Sequence, residues 1–261
     1  MSTLPAAWSA AASFEFSGVH LVDTDELAAA DCLAAAVASR AAQGLHLCNA
    51  YTLALASKDP AYRSALGHDG AVNLPDGTPV SWYYRLSSGR PARGPVRGPG
   101  LMRAALDRPG LRHFLLGGTE GVLDDLVAVI TRDHPAAVVA GRLAPAFGDP
   151  TEADLDTWAA AVRAAEADVV WVGLGTPRQD EVIARLVGRC ACVFVGVGAA
   201  FDFLSGHKAE APSFLHSTGL EWAYRLGSEP RRLWRRYLFG NTRFVVQAAR
   251  QLVAHRAPGR G

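Results

Sequence analysis

Short apolar runs alternate with helix-length segments along this chain, and this alternation constrains its fold more than any other feature. Seven apolar runs occur, at residues 18–22, 45–48, 70–74, 113–116, 136–140, 169–172 and 190–195. The segments between them, such as 25–42 and 153–167, are rich in alanine with spaced Leu, Val and Trp, which favours helices. Strands that alternate with helices form βαβ units, and uniformly apolar strands are typical of parallel sheets covered on both faces. The sequence therefore predicts an open, mainly parallel, Rossmann-like α/β sheet with helices on both faces.

The chain is long and apolar enough to bury a full-sized core. It has 261 residues, of which 49% are hydrophobic and 20% are charged, and this composition excludes a disordered or fibrous protein. No apolar run reaches the ~18 residues that cross a bilayer. The Ala-rich stretch at residues 6–12 has no basic residues in front of it, unlike a secretory leader. We therefore expect a cytoplasmic protein with buried, reduced thiols at its four cysteines, Cys32, Cys48, Cys190 and Cys192.

Positive charge is concentrated near the carboxyl end of the sequence. Residues 222–261 contain nine arginines and one acid, Glu229, whereas residues 1–221 contain 17 basic and 24 acidic residues. A basic segment of this kind favours an anionic partner. The sequence therefore predicts an α/β domain over residues 1–228 and a basic helical appendage over residues 229–261.

The predicted appendage also carries an apolar stripe, which consists of Leu233, Tyr237, Phe244 with Val245, and Leu252. Apolar residues beside arginines suit an interfacial helix on an anionic membrane surface. A helix that packs its stripe on the acidic body of the protein would have the same pattern, so both interpretations are open. Nucleic acid is not an expected partner, because the body is acidic and the chain contains no recognised nucleic-acid motif.

Polar or glycine-rich clusters follow five of the predicted strands, at Asn49 and at residues 75–77, 117–118, 173–177 and 196–198. In parallel α/β sheets, ligands bind at the carboxyl ends of the strands, where helix N-termini present amide groups to anions. The clusters therefore predict one ligand site along that edge. No Gly-x-Gly-x-x-Gly follows the first strands and no loop ends in Gly-Lys-Ser/Thr, which argues against an ordinary dinucleotide fold and against a P-loop enzyme.

Three side chains at this edge have suitable chemistry. Asp76 directly follows a strand, where its carboxylate could act as a general base, although Asp-Gly could equally serve only as a turn. Asp202 lies between two phenylalanines, so an ionised carboxylate there needs hydrogen bonds or a functional partner. Gln179 falls in the first turn of a helix that Pro177 opens, and its amide could read the edge of a sugar or base.

Metal and cofactor chemistry are not expected. The eight histidines are scattered, and none forms a pair at ligand spacing. Asp23-Thr24-Asp25 matches the Asp-x-Asp of metal-dependent sugar transferases, but it stands at the start of a predicted helix, where it is interpreted as a cap. The serines lack the Gly-x-Ser-x-Gly context of a hydrolase.

Three blocks of sequence are specific enough to indicate a family. They are GLGTPRQDEVI at residues 173–183, GVGAAFDFLSG at 196–206 and GLEWAYRLGSEPRRLWRRY at 219–237. In the same order, and preceded by an Asn, an Asp-Gly and an Arg near a Gly-rich turn, such blocks occur in the WecG/TagA/CpsF glycosyltransferases, glycosyltransferase family 26. The chain resembles this family over about residues 44–240.

The resemblance implies an inverting, metal-independent transfer of a sugar, N-acetylmannosamine in the best-known members. The sugar would move from a UDP-sugar to a polyprenyl-diphosphate-linked sugar at the inner face of the cell membrane, in cell-surface polysaccharide synthesis. The family's base matches Asp76. The pocket positions that the resemblance implies are Asn49, Arg97, Gln179 and Asp202, with Arg225, Arg232 and Arg235 reaching the diphosphate from the appendage. The glycine-rich clusters after the strands add Gly77, Gly118 and Gly175 as expected substrate-binding residues.

The sequence departs from the family pattern at three places. Leu47 replaces a common Thr, Glu210 replaces a typical Arg before Ala-Pro, and the turn after Arg97 lacks the usual acid. Because that acid is missing, Arg93 stays open as an alternative to Arg97 in the pocket. Leu47 and Glu210 leave open a homologue that binds UDP without catalysis. A nucleotide-binding oxidoreductase or epimerase on a similar sheet is a separate alternative. Whether the chain forms a homo-oligomer is also left open.

Overall fold

The computed structural model describes residues 4–212, 215, 221–228, 230–235 and 240–256. Eight strands form one sheet: β1 Ser13–Phe16, β2 Val19–Val22, β3 Gln43–Cys48, β4 Ala71–Pro75, β5 Arg112–Gly117, β6 Val138–Leu143, β7 Val169–Gly173 and β8 Val193–Gly196. Their order across the sheet is β1-β2-β4-β3-β8-β7-β5-β6. Every neighbouring pair is parallel except β1 and β2, which are antiparallel. The predicted open, mainly parallel α/β sheet is confirmed.

Helices occupy most of the connections between strands. They are α1 Glu26–Ala38, α2 Ala50–Ala56, α3 Pro60–Ala65, α4 Thr78–Ser88, α5 Gly98–Leu106, α6 Glu120–Asp133, α7 Glu152–Ala164, α8 Arg178–Leu186, α9 Ala200–Leu204, α10 Glu221–Ser228, α11 Pro230–Arg235 and α12 Thr242–Arg256. In the part of the chain that the structure describes, none of these helices has the length and apolarity needed to span a membrane.

Local sequence explains where two of the predicted helices begin. The Asp25 carboxylate accepts a hydrogen bond from the backbone N–H of Ala28 at 2.9 Å and caps α1. Thr151 and Asp154 exchange side-chain and backbone hydrogen bonds in a capping box at the start of α7. Both caps satisfy N–H groups that have no partner within the helix. The interpretation of Asp23-Thr24-Asp25 as a cap is therefore confirmed.

The first strand was not among the predicted runs. In β1 buried Phe14 and Phe16 alternate with exposed residues, so the strand has an amphipathic pattern instead of the continuous apolar run of a central strand. A tight turn at Ser17 and Gly18, which have φ angles of 51° and 81°, connects it to β2. Such turns join antiparallel strands, and the hairpin therefore forms one edge of the sheet.

Side chains from alternate positions of the central strands pack on opposite faces of the sheet. On one face, Val169 and Trp171 of β7 join a cluster with residues of α1, α5 and α6. On the other face, Val170 and Val172 join a cluster with residues of α7 and α8. The core is thus divided between two layers of helices, as the uniformly apolar strands predict.

A third apolar cluster joins the hairpin to α2, α3, α4 and α12. Phe244 of α12 is buried and stacks on Phe16, with ring centroids 4.9 Å apart. Gln251 of α12 accepts a hydrogen bond from Tyr83 at 2.8 Å and donates one to Ser17 at 2.6 Å. Two residues of the predicted stripe, Phe244 and Leu252, therefore pack on the body of the protein.

Another part of the predicted stripe is outside the described residues: this holds for Tyr237 and for the side chain of Leu233. Val245, which the predicted stripe includes, is instead exposed, because it is one position after inward-facing Phe244 and so points away from the body. The exposed fractions of Val245 and of Val253, also on α12, are 62% and 70%. The division of the chain near residue 229 into a domain and an appendage stays a prediction.

Candidate active site

A cavity of about 400 Å³ lies at the carboxyl ends of four adjacent strands, β4, β3, β8 and β7. Turns after all four strands line it, together with the start of α5, the segment around Phe203 to Ala209, and Trp222, Tyr224, Ser228 and Asn241 near the carboxyl end. Its size is typical of small-molecule sites, and its position is where open α/β sheets bind ligands. The predicted ligand site therefore corresponds to a cavity at the expected edge.

Asp76 is half-buried in this cavity, directly after β4. Its backbone N–H donates to the carbonyl of Cys48 at 3.1 Å, which fixes the turn to the neighbouring strand β3. Gly77 follows with a φ of 83° and precedes α4, a backbone conformation that favours glycine. The Asp-Gly pair thus does form a turn, and the same turn places the Asp76 carboxylate among the cavity-lining residues.

Asn49 lines the cavity beside Asp76 and has its amide oriented by the helix that it caps. Its Oδ1 accepts hydrogen bonds from the backbone N–H groups of Tyr51 and Thr52, both at 3.1 Å. With Oδ1 engaged in this way, Nδ2 faces Asp76 and donates to its Oδ2 at 3.4 Å. A hydrogen bond to the ionised carboxylate favours that form, which is the form a general base needs.

Gln179 links two of the glycine turns. Its Oε1 accepts from the backbone N–H of Gly175 at 3.2 Å and from that of Gly198 at 2.9 Å. A Cβ at Gly196 would lie only 3.0 Å from Nε2 of Gln179, so any larger residue there would crowd the Gln179 amide. Gln179 and Gly175 both line the cavity, and the side chain of Gln179 holds the turns after β7 and β8 together.

A buried polar network lies next to Gln179 on the same helix. The Asp180 carboxylate accepts a hydrogen bond from Tyr62 at 2.6 Å and lies 2.9 Å from Nδ1 of His46. His46 belongs to β3 and Tyr62 to α3, so the network ties three elements together behind the cavity. Burial and the Asp180 charge raise the pKa of Tyr62 above its usual value, which keeps the phenol protonated and able to donate.

The guanidinium of Arg97 is engaged by Glu210. The Arg97 side chain pairs with Oε1 of Glu210, while Arg103 donates to Oε2 at 2.8 Å. Burial alone would raise the pKa of Glu210, but the hydrogen bonds from Arg103 and Arg97 outweigh it and leave the pKa below its usual value. Glu210, which replaces a typical family arginine, thus binds two arginines in an ionised cluster.

Three of the expected substrate-binding residues are described by the structure but do not line the cavity: Arg97, Gly118 and Asp202. The neighbours of Arg97, Gly98 and Pro99, do line it. Gly118 lies against Val122 and Phe201. The carboxylate of Asp202 accepts a hydrogen bond from Lys208 at 2.9 Å, which is the partner that an ionised carboxylate between two phenylalanines requires.

The expected arginines of the carboxyl-terminal region cannot be placed in the site. The backbones of Arg225, Arg232 and Arg235 belong to α10 and α11, and their side chains lie outside the described residues. Within α10, Trp222 and Tyr224 do line the cavity.

Two cations near the cavity were not predicted from the sequence. Lys208 lines the cavity. Arg178 directly precedes Gln179, and its buried Nε and Nη2 have no hydrogen-bond partner among the described residues. Arg178 lies within the block at residues 173–183, and Lys208 lies two residues after the block at 196–206. The sequence of these segments does not show whether such a charged side chain contacts a ligand or only solvent.

The described residues contain no group of three or more His, Cys, Asp or Glu side chains placed to hold a metal ion. In the Asp-x-Asp segment, Asp25 caps α1 and Asp23 accepts a hydrogen bond from the backbone N–H of Arg93 at 3.1 Å. Burial raises the pKa of Asp23 above its usual value, so this carboxylate is a weaker ligand for a cation than an exposed one.

Comparison with known proteins identifies the family. A model of the Glycosyl transferase WecG/TagA/CpsF family matches residues 14–258. A Bacillus spizizenii protein named N-acetylglucosaminyldiphosphoundecaprenol N-acetyl-beta-D-mannosaminyltransferase is 33% identical over 187 residues, which cover 70% of each chain. A Bacillus subtilis protein of the same name is 31% identical over 189 residues, again 70% of each chain. With a matching family model over most of its length and a cavity at the expected edge of the sheet, the chain belongs to the WecG/TagA/CpsF family of glycosyltransferases.

Proposed function

We propose that this glycosyltransferase moves a sugar, N-acetylmannosamine or a related hexose, from a UDP-sugar to a polyprenyl-diphosphate-linked sugar. The names of the two Bacillus relatives support an acceptor of this kind and a mannosamine-type donor sugar. Family membership favours sugar transfer over the alternative of a nucleotide-binding oxidoreductase or epimerase. The observation that carries the proposal is a carboxylate, Asp76, in the cavity at the carboxyl ends of the parallel strands.

The proposed reaction is a single displacement that inverts the anomeric carbon without a metal. The acceptor hydroxyl attacks that carbon, and Asp76 takes the hydroxyl proton as the new C–O bond forms. The bond to the donor diphosphate breaks at the same time, and UDP leaves with the bonding electron pair. Asn49 supports this role, because its amide donates to Oδ2 of Asp76 and orients the carboxylate.

We further propose that the protein works at the inner face of the cell membrane, because its acceptor would be anchored there by the polyprenyl chain. The arginine-rich region beyond residue 222 supplies positive charge for this surface. Arg225, Arg232 and Arg235 are proposed to reach the diphosphate.

The function is tested with a panel of UDP-sugars and a short-chain lipid diphosphate acceptor carrying N-acetylglucosamine, in the presence of a metal chelator. We expect UDP release and a disaccharide product of inverted configuration. Asp76→Asn should lower kcat by about 100-fold or more, because general-base catalysis typically contributes that much. Asp149→Asn, at an exposed carboxylate that does not line the cavity, is the matched control.

Full transfer by Asp76→Asn would remove the base assignment. Binding of UDP without any product from the wild-type protein would instead favour the non-catalytic alternative that Leu47 and Glu210 suggest. Leu47 lines the cavity where other members commonly have Thr, so the donor panel also measures whether that departure changes the sugar.

A further inference from the structure

Lys208 is the cationic side chain among the described residues that line the cavity. It lies in the loop after α9 and is anchored at two points to Asp202. Its backbone N–H donates to the Asp202 carbonyl at 3.0 Å, and its ammonium donates to Oδ2 at 2.9 Å. The Lys208 side chain is one-third exposed, so the ammonium is held in place at the cavity wall and is still accessible to a ligand.

Backbone groups that often bind phosphates in such sheets are engaged in this protein. The N–H groups of Gly175 and Gly198 both donate to Oε1 of Gln179. These two turn amides already have an acceptor, so they are less available to a diphosphate in the cavity, and a cationic side chain at the cavity wall can supply the positive charge instead.

The arginine expected near this site does not fill that role. Glu210 pairs with both Arg97 and Arg103, and Arg97 does not line the cavity. Because residue 210 is a glutamate where the family typically has an arginine, its carboxylate forms an ion pair with Arg97. The cavity-facing cation lies two residues earlier in the chain, at Lys208.

We propose that Lys208 binds the diphosphate of the nucleotide-sugar donor. This inference rests on the proposed function and names a residue of its donor site. An ammonium has three N–H donors, so a bond to Asp202 is compatible with a second bond to a phosphate oxygen. Negative charge grows on the departing UDP as its bond to the sugar breaks, and the fixed ammonium stabilises that charge.

The composition of the chain offers a direct test, because Lys58 and Lys208 are its only lysines. Lys58 is exposed and does not line the cavity, so it serves as an internal control. The full chain is treated with an amine-acylating reagent without ligand, with uridine and with UDP, and both lysines are quantified by mass spectrometry. We expect UDP, but not uridine, to slow acylation of Lys208 at least about fivefold and to leave Lys58 unchanged. Equal acylation of Lys208 with and without saturating UDP would overturn the proposal.

Variants provide a second measurement that does not depend on turnover. By titration calorimetry, Lys208→Gln should weaken UDP binding by about 10- to 100-fold, the usual effect of losing a charge-assisted hydrogen bond. Its affinity for uridine should not change. Lys208→Arg should retain most of the UDP affinity, and Lys58→Gln should match the wild type.

The two possible failures can be distinguished. If the wild-type protein binds no UDP and transfers no sugar from UDP-sugars, both the proposed function and the role of Lys208 are wrong. If the wild type binds UDP and Lys208→Gln binds it equally well, the donor-site role of Lys208 is wrong while the proposed function stands.

Discussion

Arg178, the first residue of α8, has a guanidinium that the described structure leaves without partners at Nε and Nη2. Both atoms are buried, and the next residue along the chain, Gln179, lines the cavity. Buried N–H groups without an acceptor are costly, so these two groups are an unfavourable feature that an anionic ligand nearby would relieve. This arrangement is typical of functional sites, where stability is given up for binding.

We expect Arg178→Met to stabilise the ligand-free protein and to weaken its binding of UDP. Removing the two unpartnered N–H groups should raise the free energy of unfolding by about 1–3 kcal/mol, measured by urea denaturation. The same change should lower UDP affinity by about tenfold, measured by calorimetry, because the positive potential next to the cavity is lost.

Arg185→Met is the matched control on the same helix, since Arg185 pairs with exposed Glu152. An exposed ion pair contributes little, so its loss should change neither quantity by more than a small amount. Lower stability of Arg178→Met together with unchanged UDP affinity would contradict this interpretation.

Several site residues could be predicted from the sequence, and others could not, for a physical reason. Asn49 and Asp76 directly follow strands, and Gln179 lies in the first turn of the helix after β7. The fold alone brings such positions to one edge of the sheet. The engagement of Arg97 depends on Glu210, which lies 113 positions along the chain. No local pattern specifies such a pairing, because side-chain partners across elements depend on the finished packing.

Adjacent strands β5 and β7 are joined by side chains as well as by their backbone ladder. The indole N–H of Trp171 donates to Nδ1 of His113 at 3.1 Å, and both side chains are fully buried. Since an indole can only donate, Nδ1 of His113 must be unprotonated in the folded protein. Burial lowers the pKa of His113 to about 4, and the neighbouring charge of His134 adds to the effect.

Because His113 is buried with a lowered pKa, we expect the free energy of unfolding to fall in acid. The unfolded chain takes up the His113 proton near pH 6.5 and the folded chain only near pH 4, so between these values the unfolded state binds more protons. The free energy of unfolding should therefore fall as the pH is lowered through this range, by about 3 kcal/mol from this one group.

His113→Gln tests the effect, because the amide oxygen can still accept from Trp171 but the side chain does not titrate. Urea denaturation across the pH range should give a flatter stability profile for this variant than for the wild type. Parallel profiles for the two proteins would exclude His113 as the source of the pH dependence.

Helices with regularly spaced apolar residues and strands with a continuous apolar run could be predicted from the sequence. Strands whose formation or length depends on contacts with neighbouring elements could not. The central strand β7 and the capped helices α1 and α7 occur where their sequence patterns place them, whereas β8 begins at Val193, three residues after the start of its predicted run. β6 starts at Val138 instead of residue 136 and continues to Leu143, because as an outer strand it is only partly covered and includes polar residues. The short amphipathic strand β1 becomes a strand only by pairing with β2.

The molecule as a whole combines an acidic body with cations on one of its helices. Between the end of α2 and α12 lies a groove of about 690 Å³, which Lys58, Arg243 and Arg250 line. Exposed Val245 and Val253 belong to the same helix. Cations together with exposed apolar side chains match the requirements of an anionic bilayer surface, while Phe244 holds the helix on the body.

We therefore expect the protein to sediment with vesicles that contain anionic lipid, and less so at high salt. The double variant Arg243→Glu, Arg250→Glu should lower this binding by at least about tenfold, because each basic residue near such a surface contributes about 1 kcal/mol. Neutral vesicles and the variant Arg132→Glu, at an exposed arginine of α6, are the controls. Equal binding of the double variant and the wild type would place the membrane contact elsewhere in the chain.

The packing of α12 on the β1–β2 hairpin affects how the newly made chain folds. Phe16 leaves the ribosome 228 residues before its stacking partner Phe244. At ordinary rates of translation this interval is roughly 10–45 s. Tyr83 of α4 packs on the same ring of Phe16 and is made much earlier, so until α12 is synthesised the hairpin lacks only the part of its cover that Phe244 supplies.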